Sequence, residues 1–350
     1  MGDKAPILNP VALIMAGGSG TRFWPLSLKK LPKQYLSLTG SRSLIQETVD
    51  RIRSLCQVSD IYIASGNSQE DLLKQQLPDI PNRILEPASK NTAACLMLAT
   101  RELLKKGYSP NTPIMVFPAD HVIGNPGLFF SLLRNALSFV TERESLVTFG
   151  ITPVTPHTGY GYIEAGALET HAIHQVTRFT EKPDKTTAEN FLRRGNYFWN
   201  SGIFVWTLRS ICHAFEEFCS KSWSQMMQAE SPISLAAVFE TLPSVPIDTA
   251  VLEKSRNVFV IPAQGLGWSD VGSWSALHQL KAAHSHDNVF LGGDIRALES
   301  QGCLAKVPEN IQVALVGLKD LIVIFNGSTL LIADKGQDQK VKEASQLFED

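Results

Sequence analysis

Six apolar residues, Val11-Ala-Leu-Ile-Met-Ala16, run directly into Gly17-Gly-Ser-Gly20 and then Thr21-Arg22. An unbroken apolar run of this length reads as a strand buried on both faces, as found inside a parallel sheet. Glycines let the backbone take positive φ and approach a ligand closely, and consecutive amides in such a turn make a concave anion site. In open α/β sheets, ligands bind beyond the carboxyl ends of strands. Two common phosphate fingerprints do not fit this turn. A Walker A loop ends in Gly-Lys-Ser/Thr, whereas this one ends Gly20-Thr-Arg. A dinucleotide fingerprint on Gly18 and Gly20 needs glycine or alanine at 23, where Phe23 stands.

The chain then alternates short β-rich runs with helical patterns. Ser43-Leu-Ile-Gln46 has capping-box spacing, and Leu44, Ile45, Val49, Ile52 and Leu55 continue with helical period. Strands are expected at Ile61-Tyr-Ile-Ala, Arg83-Ile-Leu and Ile114-Met-Val-Phe117, with helices over 68–77 and 91–106. The expected fold class is therefore α/β, a Rossmann-like mixed, mostly parallel sheet with helices on both faces. Residues 145–270 are less regular and are expected to cover one side of that sheet. From Cys303 onward, apolar runs recur about every nine residues without helices between them, which suggests a small all-β module of solenoid type. The organisation expected is a main α/β domain over 1–274, a helical linker over 275–288 and a C-terminal module over 289–350.

Composition removes several function classes. A length of 350 residues is enough for about two domains, and 44% hydrophobic residues supply a core. With 32 Lys and Arg against 34 Asp and Glu, the net charge of −2 lacks the basic excess of a general nucleic-acid binder. The N-terminus has no secretory apolar core, and no membrane span is evident. Five scattered cysteines without a C-x-x-C pair fit free thiols in a reducing cytoplasm. Neither a Ser-His-Asp pattern nor zinc spacing emerges.

Charged groups cluster around the glycine turn. Arg22 offers a forked donor set for phosphate oxygens, and Lys33 a compact point charge. Phe117-Pro-Ala-Asp120-His121 places a carboxylate at the end of an expected strand, where it serves either as a turn or cap residue or as a Mg²⁺ ligand. Gly267-Trp-Ser-Asp270 offers a second carboxylate in a glycine-rich turn. Mg²⁺ prefers hard oxygen donors and takes one or two carboxylates plus substrate phosphates. Asn91 and Thr92 can cap the helix that follows them. Asn200 is a polar residue in an aromatic run, where it needs a partner.

The segment from Leu13 through Ala-Gly-Gly-Ser-Gly-Thr-Arg-Phe-Trp-Pro-Leu-Ser to Pro32-Lys-Gln34 resembles the signature of nucleotidyltransferases that make nucleotide sugars, and most closely mannose-1-phosphate guanylyltransferases. Leu28 departs from that pattern, since many members carry Arg there, and Lys90 likewise stands where Arg is common. The resemblance implies transfer of GMP from GTP to mannose 1-phosphate, with Mg²⁺ as cofactor held by Asp120 and Asp270. Arg22, Lys33 and Asp120 are the implied catalytic residues. Gly17, Gly18, Gly20, Thr21, Arg22, Lys33, Glu86, Asn91 and Thr92 are the implied nucleotide contacts. Gly161, Glu181, Lys182 and Asn200 are the implied sugar-phosphate contacts, and the segment Ile247-Asp248 is similar to another stretch near the sugar. Family members end in a short left-handed β-helix, often at a dimer contact, so a cytoplasmic homodimer is expected. Some relatives add a cupin-type isomerase domain, for which residue 350 comes too early. Another sugar or base, or a non-catalytic sensor on the same scaffold, is the alternative.

Overall fold

The computed structural model describes residues 9–348 except 19, 171 and 285. Its elements run β1 (Val11–Met15), α1 (Leu44–Ile52), β2 (Ile61–Gly66), α2 (Glu70–Gln76), β3 (Asn82–Glu86), α3 (Asn91–Lys105), β4 (Pro113–Pro118), β5 (Val122–Ile123) and α4 (Pro126–Glu142). They continue with β6 (Leu146–Ile151), β7 (Tyr162–Thr170), β8 (Ile173–Thr180), α5 (Lys185–Arg194), β9 (Tyr197–Thr207), α6 (Leu208–Phe218), α7 (Ser220–Gln228) and α8 (Pro232–Thr241). The last part holds β10 (Val258–Pro262), β11 (Trp268–Ser269), α9 (Trp274–Lys281), β12 (Val289–Leu291), β13 (Asp294–Leu298), β14 (Leu304–Lys306), β15 (Gln312–Val316), β16 (Leu321–Phe325), β17 (Leu330–Asp334) and α10 (Val341–Gln346). By packing, the chain divides into two units: Met1–Gly17, Asp50–Ala119 and Ile123–Trp268 form one, and Gly18–Val49, Asp120–Val122 and Ser269–Asp350 the other.

The first unit is built on a nine-stranded sheet in the order β3-β2-β1-β4-β9-β6-β10-β8-β7. Strands β3, β2, β1 and β4 run parallel, with Leu13 opposite both Tyr62 and Val116. β9 enters antiparallel between β4 and β6, which makes the sheet mixed. Residues 145–270 therefore do not simply cover one side of the sheet; β6, β8, β9 and β10 extend it edge to edge, because each finds a backbone ladder partner there. Alternation along the strands feeds two apolar layers. Leu13, Val116, Phe204 and Trp206 pack with Leu96, Leu103, Ile211 and Phe215 of α3 and α6. On the opposite parity, Phe117, Phe149 and Phe259 meet Phe129 and Phe139 of α4, with ring centroids 5.0–6.4 Å apart. Helices on both faces explain why β1 is apolar at every position.

The second unit has its own core, and it is assembled from distant parts of the chain. Phe23, Leu36, Leu38 and Leu44 pack with Trp274, Leu304, Ile322 and Ile324. The Phe23 and Trp274 rings lie 4.7 Å apart, and Trp274 Nε1 donates to the Trp24 carbonyl at 3.2 Å. The capping box is present in both halves: Gln46 N donates to Ser43 Oγ at 3.4 Å and Ser43 N to Gln46 Oε1 at 3.0 Å. C-terminally, β12, β14 and β16 form one parallel stack and β13 and β15 another, with β17 antiparallel on β16. Gly292 (φ +77°) turns the corner between β12 and β13, where a Cβ would collide with the Val307 carbonyl oxygen. No described helix is long and apolar enough to cross a membrane, and all five cysteines are free.

Candidate active site

In the second unit, the glycine turn closes onto Lys33. Gly20 has φ +58°, and a Cβ there would collide with Lys33 Cβ and stand 2.8 Å from the Lys33 backbone nitrogen, so no side chain fits. Gln34 Nε2 donates to the Gly18 carbonyl at 3.4 Å; Ser19 lies outside the described residues. Lys33 is only 6% exposed. Its ammonium donates to Asp120 Oδ2 at 2.7 Å and to the Asp270 backbone carbonyl, while the Phe23 ring lies 5.7 Å from it. One buried cation thus brings together two acidic segments 150 positions apart in sequence. Burial pushes the Asp120 carboxyl up, but Lys33 and His121 outweigh it and hold the group below the usual carboxylate range. Asp270 Oδ1 accepts from Gly272 N at 3.2 Å.

Arg22, Lys33, Asp120 and Asp270 line one cavity of about 260 Å³, together with Thr21, His121 and Lys342. Arg22 is exposed on the single turn Thr21–Phe23. Among the described residues no group of three or more His, Cys, Asp or Glu is suited to a metal. Two carboxylates facing one cavity nevertheless suit Mg²⁺, which keeps several waters and takes other ligands from substrate phosphates.

The remaining expected nucleotide contacts belong to the first unit. Glu86 ends β3 and is 6% exposed. Burial raises its carboxyl to about 7, against a hydrogen bond with Cys95. A Cβ on Gly17 would stand 3.5 Å from Glu86 Oε2, so this glycine and the acid adjoin. Asn91 opens α3 with φ +66°, its Oδ1 accepting from Thr92 N at 2.8 Å. The Thr92 hydroxyl is engaged elsewhere, accepting from Ile247 N at 2.8 Å.

Also in the first unit, Gly161, Glu181 and Asn200 converge. Asn200 N donates to the Gly161 carbonyl at 2.8 Å, and a Cβ on Gly161 would stand 2.6 Å from Glu181 Oε2. Lys182 is exposed, with its ammonium 2.5 Å from Glu181 Oε1. The Asn200 amide is held on both sides. Thr148 Oγ1 donates to its Oδ1 at 2.9 Å, and its Nδ2 donates to Asp248 Oδ1 at 2.6 Å. Asp248 starts the π-helical turn Asp248–Leu252, a rare geometry common at functional sites. Burial, aided by Glu181, raises its carboxyl to about 7.

Two residues here escape the sequence-derived site. The sequence marks Asp248 only as part of a segment, and its pairing with Asn200 depends on the fold. Lys342 is signalled only by the pair Val341-Lys342 near the end of the chain.

With this geometry in hand, the class of protein is clear: the chain belongs to the nucleotidyl transferase family, whose model matches residues 11–286. A MannoseP isomerase/GMP-like beta-helix domain matches residues 293–346. More particularly, the chain is 35% identical to a mannose-1-phosphate guanylyltransferase of Klebsiella pneumoniae, over 98% of this chain and 74% of that protein. It is 37% identical to the xanthan biosynthesis protein XanB of Xanthomonas campestris pv. campestris (strain B100), over 98% and 73%. A crystal structure from Thermus thermophilus, described as a mannose-1-phosphate geranyltransferase, superposes with a TM-score of 0.90 at 31% identity, covering 98% of this chain and 100% of that one.

Proposed function

We propose that this protein transfers GMP from GTP to mannose 1-phosphate, yielding GDP-mannose and pyrophosphate by in-line displacement at the α-phosphorus. The observation that carries this reading is the cavity in which Arg22, Lys33, Asp120 and Asp270 meet beside the glycine turn. The sugar phosphate brings its own nucleophile. With a second pKa near 6, a phosphate monoester is largely a dianion at neutral pH, so no general base is required. The obstacle is repulsion between two anions. Arg22 would neutralise phosphate charge as it develops, and Lys182 would meet the sugar phosphate. Lys33 would hold Asp120 and the Asp270 backbone in place, leaving the acids aligned. Asp120 and Asp270 would bind Mg²⁺, which supplies charge neutralisation on the phosphates. Lys342 adds a further cation to the same cavity.

Asn91 and Thr92 would frame the nucleotide, Thr92 by tethering the 247–248 segment. Glu86, when ionised, suits the N1–H and exocyclic amine donors of guanine. Gly161, Glu181 and Asn200 would receive the sugar hydroxyls.

The functional division we favour remains a catalytic module over 1–274, a linker over 275–288 and a β-helix module over 289–350. A homodimer is supported by the β-helix surface. Leu298 and Val316 are ladder partners and 62% and 60% exposed, and Leu330 and Ile332 on β17 are 54% and 61% exposed. Free thiols fit a cytoplasmic setting.

Pyrophosphate release, measured with GTP and mannose 1-phosphate with and without Mg²⁺, tests the reading. Release should require both substrates and the metal, and GTP should outperform UTP, dTTP and ATP. Asp120→Asn should demand more Mg²⁺ for half-maximal rate; a titration matching the unmodified protein would remove Asp120 from the metal site.

A further inference from the structure

We propose a second anion site, distinct from the catalytic cavity and specific for a small organic phosphomonoester, at the far ends of β3 and α3. There a cavity of about 370 Å³ is lined by Arg83, Arg101, Lys105 and Lys106, opposed by Glu102 and Glu230. Four cations against two carboxylates leave a surplus of two positive charges, which matches a phosphomonoester dianion.

Lys105 and Lys106 alone would carry little weight, since cations favour the C-terminal end of a helix. The arginines are different. Arg101 is 3% exposed. Its guanidinium reaches Glu102 and the Ala229 carbonyl, and Arg83 reaches the Leu77 carbonyl at 3.3 Å. Yet the Nε–H of both arginines is buried without a hydrogen-bond partner. A guanidinium carries five N–H donors, and these contacts engage two on Arg101 and one on Arg83, so the terminal nitrogens of both arginines keep donors for an acceptor in the cavity they line. Arginine forks suit phosphate oxygens. The volume exceeds a bare phosphate and falls in the range of small-molecule pockets. Tyr62, Leu85 and Leu98 supply an apolar wall for the rest of the molecule.

The site also has a route to the nucleotide residues. Arg83 lies three positions before Glu86 on β3, and Arg101 ten positions after Asn91 on α3. An occupant that draws on Arg83 and Arg101 pulls on the two elements that present Glu86 and Asn91. The site goes beyond the transfer reaction and would make the enzyme responsive to a metabolite it does not consume.

The test uses the full-length protein and glucose 6-phosphate, whose phosphate is not anomeric, with calorimetry as readout. Binding should weaken about tenfold or more in Arg83→Gln/Lys105→Gln, where Arg83 is half-buried and Lys105 exposed, and should remain unchanged in Arg22→Ala. Inorganic phosphate should bind more weakly at the same place. Nucleotidyl transfer without the probe should be unaltered in the double variant, which separates this site from the catalytic reading. No binding at millimolar probe, or binding lost in Arg22→Ala and kept in the double variant, would overturn the proposal.

Discussion

The loop cluster around Lys33 and the polar cluster around Asn200 solve opposite problems with similar residues. Around the glycine turn the charges are paired and fixed: Lys33 is buried between Asp120 and the Asp270 backbone, and Asp120 stays ionised. Around Asn200 the polar groups form a chain from Thr148 through the amide to Asp248, whose carboxyl sits near neutrality at about 7. A fixed charge array stabilises a transition state because it needs no reorganisation. A hydrogen-bonded chain of small polar groups discriminates between hydroxyl patterns, because a wrong partner leaves buried groups unpaired. The contrast predicts that damage to the first cluster lowers rate and damage to the second changes substrate choice.

The sharpest way to break this contrast is Arg22→Ala. Its turnover should fall by about 10³ or more with the unfolding midpoint unchanged, by analogy with arginines in other phosphoryl transfers. Undiminished turnover would remove Arg22 from the mechanism. Next in size, Asn200→Ala should raise KM for mannose 1-phosphate by roughly ten- to a hundredfold while KM for GTP holds, consistent with loss of a buried hydrogen-bond partner. Equal changes for both substrates would mean that the sheet around β9 had been disturbed. Lys342→Ala should raise KM for GTP by about three- to tenfold, the effect of an exposed cation, and that effect should shrink as salt is added. A change confined to mannose 1-phosphate would assign Lys342 to the other cluster.

The smallest effect concerns pH. Ionisation of Asp248 above about 7 adds negative charge beside Glu181, so KM for the sugar phosphate should rise with pH through neutrality. Asp248→Asn should flatten that rise. The same shift has a stability sign. The folded carboxyl binds its proton more tightly than the unfolded one, so stability declines as pH climbs from about 4 to about 7. Asp248→Asn should lose that part of the decline in thermal unfolding scans, while Glu86, also raised to about 7, keeps its own share.

Much of this is legible in the chain because it is local. The apolar run at Val11 and the glycines after it announce a buried strand and a tight turn, and Ser43 and Gln46 announce a helix start. The four parallel strands β3, β2, β1 and β4 follow from alternation with helices. What is not legible depends on partners far away. The antiparallel insertion of β9 between β4 and β6 depends on ladder contacts that no local pattern encodes. Thr92 looks like a cap, but its hydroxyl serves Ile247, 155 positions on. Lys33 reads in the sequence as a phosphate contact, and the fold adds the Asp120 carboxylate and the Asp270 backbone carbonyl as its partners, because burial of an ammonium demands them.

One feature of the second core bears on how the molecule comes into being. Phe23, Leu36, Leu38 and Leu44 leave the ribosome early, while Leu304, Ile322 and Ile324 emerge near the close of synthesis. The apolar faces of the turn that grips Lys33 must therefore wait, unburied, through most of translation. A nascent chain halted before residue 300 would hold the nine strands of the first sheet and Trp274, yet lack Leu304, Ile322 and Ile324, so the cover over Phe23, Leu36, Leu38 and Leu44 closes only as synthesis ends.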